Sequence, residues 1–421
     1  MKRLRYRRPY PPGSEARLVS LVTAMALILP GFLWLLQAPT TPAQALSPGL
    51  KDSFLADPLR DTPRDPLLPD LLLSRPLSPL EQRALGQALD RLADQLVGLS
   101  AGGRTEATVQ LWLRWLRLSR LLGTDREIGA MEQAARQMRD WYATQPLQVI
   151  SARLAVIVAD LDSRDRGYPG RVENLARTAI LMGNLEAAID LRQTLAALAL
   201  KRGDRPGYQA QLETMADLYG EWFDFQKAAD LYAELLRLVA TNPNWADQTR
   251  FLQRRIDNLE QAQDLTAAIA AQQQLITLYR QQEASWPLIT AVQTAMAKNY
   301  ERLGSLSLAS RQYQIAYTNA ITAQQLDLAA TILRDLAALY QRLERWSDVL
   351  YLEQQLLQVA RSANSTYGQM ESFDRLGQVY EHTGDPRLAL QSYRQGLALA
   401  NVLALRQDYF QAQINRLQRS P

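Results

Sequence analysis

Residues 373–396 read FDRLGQVYEHTGDPRLALQSYRQG, and they set the pattern for most of the chain. Phe373, Leu376 and Tyr380 recur at helical spacing. Gly384-Asp385-Pro386 interrupts, with Asp385 placed to cap a helix that begins on proline, and Ala389, Tyr393 and Gly396 resume the spacing. Stepping back by forty from Tyr380 reaches Tyr340 and then Tyr300; a step of 41 reaches Leu259, and two more of forty reach Tyr219 and Ala179. Nine residues after these anchors stand Ala188, Ala228, Ala268, Ala309, Val349 and Ala389. Three before them stand Ala176, Ala216, Ile256, Ala297, Ala337 and Gly377. Small residues at five of six copies, at two separate positions, mark a repeat and not a bias of composition.

Small side chains at fixed points let two antiparallel helices approach closely, and the bulky anchor fills the space beside them. One such hairpin cannot bury its apolar face alone, so the copies must stack. The order bulky, Leu-Gly, Tyr, Gly, Ala, aromatic resembles the tetratricopeptide repeat (TPR), in a forty-residue form longer than the usual period of about 34. The resemblance implies an all-α fold, an α-α superhelix of TPR-like solenoid type, with a concave surface that binds a protein or peptide segment; it implies no reaction. The signal-bearing, Gln- and Arg-rich style also looks like exported TPR proteins of photosynthetic bacteria, some of which help to assemble membrane complexes.

A chain of 421 residues is long for one closed core, but a stack of repeats has no such ceiling. Its net charge of +4 is local: residues 1–45 hold six of the 47 basic residues and one of the 43 acidic ones, leaving 41 positive and 42 negative charges beyond them. A near-neutral body lacks the basic face that nucleic acid requires. Cysteine is absent, so neither disulfides nor thiolate metal sites are available.

Residues 1–45 are expected to be a signal peptide or membrane anchor. A basic head precedes the uncharged apolar run Leu18–Leu36, and Ala43-Gln44-Ala45 has the small-x-small pattern of a cleavage site. Either reading keeps the head cytoplasmic and places the body outside, in a periplasm or thylakoid lumen, with the N-terminal segment holding the membrane if it is uncleaved. Residues 46–77 are proline-rich and predict an extended linker. Ser78-Pro79-Leu80-Glu81 forms a capping box that opens the helical body. Residues 78–172 read as degenerate helical repeats, with Trp112 and Trp115 on one helix, a turn at Gly123, and a loop at 162–170. Residues 173–401 hold the regular repeats, and 402–421 a capping helix.

Candidate chemistry is sparse. The single histidine, His382, permits no two-histidine metal motif, and no Gly-rich segment has phosphate-binding spacing. Asp160, Asp162 and Asp165 fail the alternation of a calcium loop. No catalytic residue, cofactor or resident metal is expected. In TPR stacks the first helix of each hairpin lines the concave face, and positions six and two before the anchor, and one or two after it, point inward. Here these include Glu213, Asp217, Glu221, Asp257 and Glu260, then Lys298, Arg302, Arg334 and Arg342, with Glu301 an exception. The groove is therefore expected to run from acidic to basic, which would orient a partner. The opposing expectation is that these charges pair between neighbouring helices. The function that follows is a non-catalytic extracytoplasmic scaffold or assembly factor. The alternative is a metal-handling factor that holds a divalent cation in the acidic stretch.

Overall fold

The computed structural model describes residues 48–60, 65–68, 75–100, 105–240, 244–282 and 286–419. The predicted signal or anchor lies outside the described residues. All regular structure among those residues is helical, and the chain divides into two compact units, Met1–Leu161 and Asp162–Pro421.

The first unit holds α1 (Pro48–Leu55), α2 (Pro79–Ser100), α3 (Glu106–Ser119), α4 (Thr124–Asp140) and α5 (Thr144–Asp160). The capping box forms: the Ser78 N–H donates to Glu81 Oε2 at 2.6 Å and the Glu81 N–H to Ser78 Oγ at 3.4 Å. Two Arg75 bonds, with these, hold the Glu81 carboxyl down to about 2. Trp112 and Trp115 are buried edge to face at 5.4 Å, and their indole N–H groups are satisfied by Ser100 Oγ and the Leu89 carbonyl. Glu127, also buried, is clamped by Arg153 at 2.6 Å and Arg120 at 3.2 Å.

The described residues within 46–77 differ from the extended linker read from its prolines. Helix α1 opens on Pro48, where the missing N–H costs nothing, and the proline-free stretch that follows supports two turns. Phe54 and Leu68 are buried, Arg120 lies 4.4 Å over the Phe54 ring, and Asp65 takes two bonds of 2.7 Å from Arg114. Part of the stretch is thus folded onto the first unit, because proline restricts only itself and the residue before it.

The second unit is a stack of six hairpins. They are α6 (Tyr168–Leu181) with α7 (Leu185–Arg202), α8 (Arg205–Glu221) with α9 (Phe225–Ala240), α10 (Trp245–Gln261) with α11 (Leu265–Gln281), α12 (Trp286–Arg302) with α13 (Leu306–Thr322), α14 (Leu326–Arg342) with α15 (Trp346–Ser362), and α16 (Thr366–His382) with α17 (Pro386–Leu403). Helix α18 (Gln407–Arg419) follows. All six anchors occupy one site, two residues before the end of a first helix. Their carbonyls all accept from the N–H five residues on, at 2.8–3.0 Å, which closes each first helix in a Schellman-type turn. Ala179, Leu259 and Tyr340 are buried, whereas Tyr219, Tyr300 and Tyr380 are half-buried at the edge of the core. The residues at the two small positions are all buried.

The same turn starts the second helix. Asn184 and Asp264, whose N–H groups close α6 and α10, accept from Ala187 N and Ala267 N with their side chains and so cap α7 and α11. The connection at 324–327 has neither glycine nor proline, yet it turns in the same way, with Gln324 at φ 56°.

Candidate protein-binding groove

The first-helix positions six and two before the anchor, and just after it, fall on one face of the stack, but few of them are free. Glu213 pairs with Arg250 of the next first helix, which also holds Asp247 at 2.9 Å. Asp217 accepts the Tyr232 hydroxyl at 2.7 Å. Glu260 accepts from Asn299 Nδ2 at 2.6 Å and Gln272 Nε2 at 3.0 Å, while Arg302 donates to Gln263 at 2.8 Å and Asn299 at 3.2 Å. Lys298 meets Asp335 at 3.1 Å, and Arg342 pairs with Glu301. Glu221 and Asp257 are exposed. Arg334 is half-buried beside a narrow cleft with Asp327 and Ser372. The charges on this face therefore serve largely as rungs between successive first helices.

A second column of residues escaped the sequence reading. Thirteen residues after each anchor, on the second helix, stand Arg192, Tyr232, Gln272, Tyr313, Glu353 and Tyr393, and all six are buried. Five of them donate to the first-helix face: Arg192 to Glu173 at 2.8 Å and Gln211 at 3.0 Å, Tyr232 to Asp217, Gln272 to Glu260, Tyr313 to Glu301 at 2.7 Å, and Tyr393 to Glu381 at 2.6 Å. Burial and the adjacent carboxylate push the three phenols up, so they stay donors. The sixth, Glu353, is an acceptor. Counting the same register thirteen places forward would have exposed this column in the sequence.

Two cavities open on this face. One, of about 650 Å³, lies between the second and third hairpins and is lined by Gln209, Glu213, Asp217, Asn244 and Asp247. The other, of about 410 Å³, lies between the fifth and sixth and is lined by Gln341, Trp346, Glu353, Asp374, Gln378 and His382. Asp374, Gln378 and His382 are the positions six before, two before and two after Tyr380, so the positional rule extends to a repeat for which the sequence reading named no residue. His382 stacks on Trp346 with ring centroids 3.7 Å apart. No three His or carboxylate groups converge as a metal site among the described residues, and the acids of the middle repeats are held by protein donors. The metal-handling alternative gains no support from this arrangement.

Anchors in equivalent sites, small residues at both helix crossings and one turn repeated six times decide the repeat type. The hairpins are TPR-like. No family model matches the chain, and no curated protein matches it. Among solved structures, TPR-like likenesses extend to BtubC (BKLC) from P. vanneervenii, at 16% identity and TM-score 0.34 over 52% of this chain and 92% of that one. They extend to a signal transduction ATPase with a tetratricopeptide repeat sensor from Pyrococcus horikoshii, at 12% identity and TM-score 0.35 over 80% of this chain and 52% of that one. Aspartyl phosphate phosphatase F from Bacillus subtilis is similar at 12% identity and TM-score 0.36, over 70% of this chain and 79% of that one.

Proposed function

We propose that the chain is a non-catalytic scaffold that holds an extended segment of a partner protein along its first-helix face, outside the cytoplasm, and so helps to assemble a membrane complex. The observation that carries this reading is the pair of cavities on one face, separated by hairpins whose side chains are fixed by inter-helix ion pairs. Such a surface is preorganised, so binding orders few side chains and loses little entropy. Groups that might otherwise do chemistry are engaged in packing: Glu213, Glu301 and Glu381 in ion pairs, His382 in a ring stack. The face offers paired rather than free cations, which disfavours nucleic acid.

The extracytoplasmic assignment rests on the basic head and the Leu18–Leu36 run; among the described residues no helix is long and apolar enough to cross a membrane. Two experiments test the proposal. A photo-crosslinking residue placed at Gln209 or Gln378 should capture the same partner from the native membrane fraction, whereas one at the outward Gln391 should not. Arg334→Glu with Arg342→Glu should lower the yield. Capture from Gln391 alone, or from no position, rejects the groove. Recovery of the mature chain in the cytosol rejects the location.

A further inference from the structure

The joint between the fifth and sixth hairpins breaks the pattern of the others. Elsewhere along the stack, first helices are tied through side chains: Arg192 bridges Glu173 and Gln211, Glu213 meets Arg250, Asn299 meets Glu260, Glu301 meets Arg342, and Glu381 meets Arg416. Among the described residues no hydrogen bond or ion pair joins α14 to α16. The residue just after the anchor is an acid in the third, fourth and sixth hairpins (Glu260, Glu301, Glu381) but Gln341 in the fifth. The buried second-helix residue facing it is a donor in five hairpins and Glu353 in the fifth. The acid has moved from the first helix to the floor of the cavity, where the nearest donor, Arg375 Nη1, stands 3.7 Å away.

Glu353 is 3% exposed and lines this cavity. Its Oε2 has no hydrogen-bond partner, and its Oε1 has only Arg375 Nη1, at 3.7 Å. A carboxyl oxygen buried without a donor has lost its hydration uncompensated, so a site that keeps one gains most from a ligand that supplies the donor. The rest of the lining defines that ligand. Arg375 stands toward Glu353, and Arg406 is bound to Asp374 at 2.7 Å, so both cations of the lining face carboxylates. Glu371 and the amide oxygens of Gln341 and Gln378 add acceptors around the same opening. A group with several donors in one plane fits this set better than a point charge.

We propose that this cavity receives the guanidinium of an arginine side chain on the partner segment, with Glu353 as its counter-ion. The inference rests on the scaffold reading and assigns the chemistry of one of its subsites. It also predicts a pH signature. Burial raises the Glu353 carboxyl to about 7, against the pull of Arg375 and Arg334 and with the help of Glu371; Asp374, His382 and Arg406 complete the charged and titratable groups facing the cavity. A bound guanidinium favours the ionised form, so binding below neutral pH must expel a proton.

Calorimetric titration of the full chain with Nα-acetyl-arginine amide, against the neutral isostere Nα-acetyl-citrulline amide, tests this directly. Saturable binding of the arginine compound is expected, with the citrulline compound weaker by about tenfold or more. Glu353→Gln should lose a similar factor while keeping its helical content, and at pH 6.5 the wild-type heat should vary with buffer ionisation enthalpy as a proton is released. Equal binding of the two compounds, no saturation, or binding unchanged in Glu353→Gln overturns the assignment. Should Glu353→Gln fail to fold, the wild-type proton release decides alone, and its absence counts against the proposal. Failure here with groove crosslinks intact removes the arginine subsite only; loss of the crosslinks removes the scaffold reading beneath it.

Discussion

At the scale of single residues, the turn inside each hairpin places one residue in the left-handed region, four after the anchor. It is glycine at Gly183, Gly304 and Gly384, but Phe223, Gln263 and Glu344 adopt the same conformation at φ 63°, 61° and 55°. The glycine turns were legible in the sequence; the other three were not, because the closing hydrogen bond from the anchor carbonyl holds a backbone that the side chain disfavours. Glu344→Gly should therefore stabilise the protein by about 0.5–1 kcal/mol in urea unfolding, after allowing for the extra freedom of glycine in the unfolded chain, and Gly384→Ala should cost about 1 kcal/mol. Gly377 has a different reason to be small. A Cβ there would stand 2.6 Å from the buried Tyr393 ring, whose hydroxyl is held by Glu381 at 2.6 Å and cannot retreat. Gly377→Ala is expected to lower stability by about 1–3 kcal/mol, and a neutral result would mean that the ring is freer than its hydrogen bond indicates.

At the scale of helices, the candidate charges could be named from the anchor rule, but their pairings could not. Glu213 and Arg250 are 37 residues apart and Glu301 and Arg342 are 41 apart, and which offset pairs depends on how far one first helix slides past the next. The acidic-to-basic groove assumed that these charges faced solvent singly, and the slide brings opposite signs together. The two ends of a rung should not be equivalent. Arg342 is 61% exposed, so Arg342→Ala should cost less than about 1 kcal/mol. Glu301→Ala should cost about 2 kcal/mol, since it also strands the buried Tyr313 hydroxyl; adding Tyr313→Phe should recover part of that loss. Glu353 gives the fifth hairpin a pH dependence of its own. Its carboxyl rises from 4.5 to about 7 on folding, so the folded state binds the extra proton. Its contribution is fully present below pH 4.5 and is lost as pH climbs through 7, by about 3 kcal/mol in all. Glu353→Gln should flatten that part of the stability profile and leave the protein more stable at pH 8 than the wild type. A profile unchanged by the substitution would place the titration elsewhere.

At the scale of the second unit, each hairpin is supported by its neighbours in sequence, so damage should spread by one or two steps and then fade. Helix α18 stacks on the sixth hairpin as a further first helix would: Phe410 and Ile414 are buried, and Arg416 and Tyr409 reach back to Glu381 and Asp374 at 2.6 and 2.8 Å. The sequence marked this segment as a capping helix. It did not reveal that Arg416 belongs to the ladder, because the partner lies in α16, 35 residues earlier. Without α18, the ring of Tyr393 and the bare backbone at Gly396, where a Cβ would clash with the Phe410 ring, lose their cover. Deleting residues 405–421 should therefore speed hydrogen exchange in α16 and α17 by an order of magnitude or more, through local opening, while α8 to α11 keep their protection. Equal loss of protection in all six hairpins would instead show a unit that opens as a whole, and a nearest-neighbour stack would then be the wrong description of it.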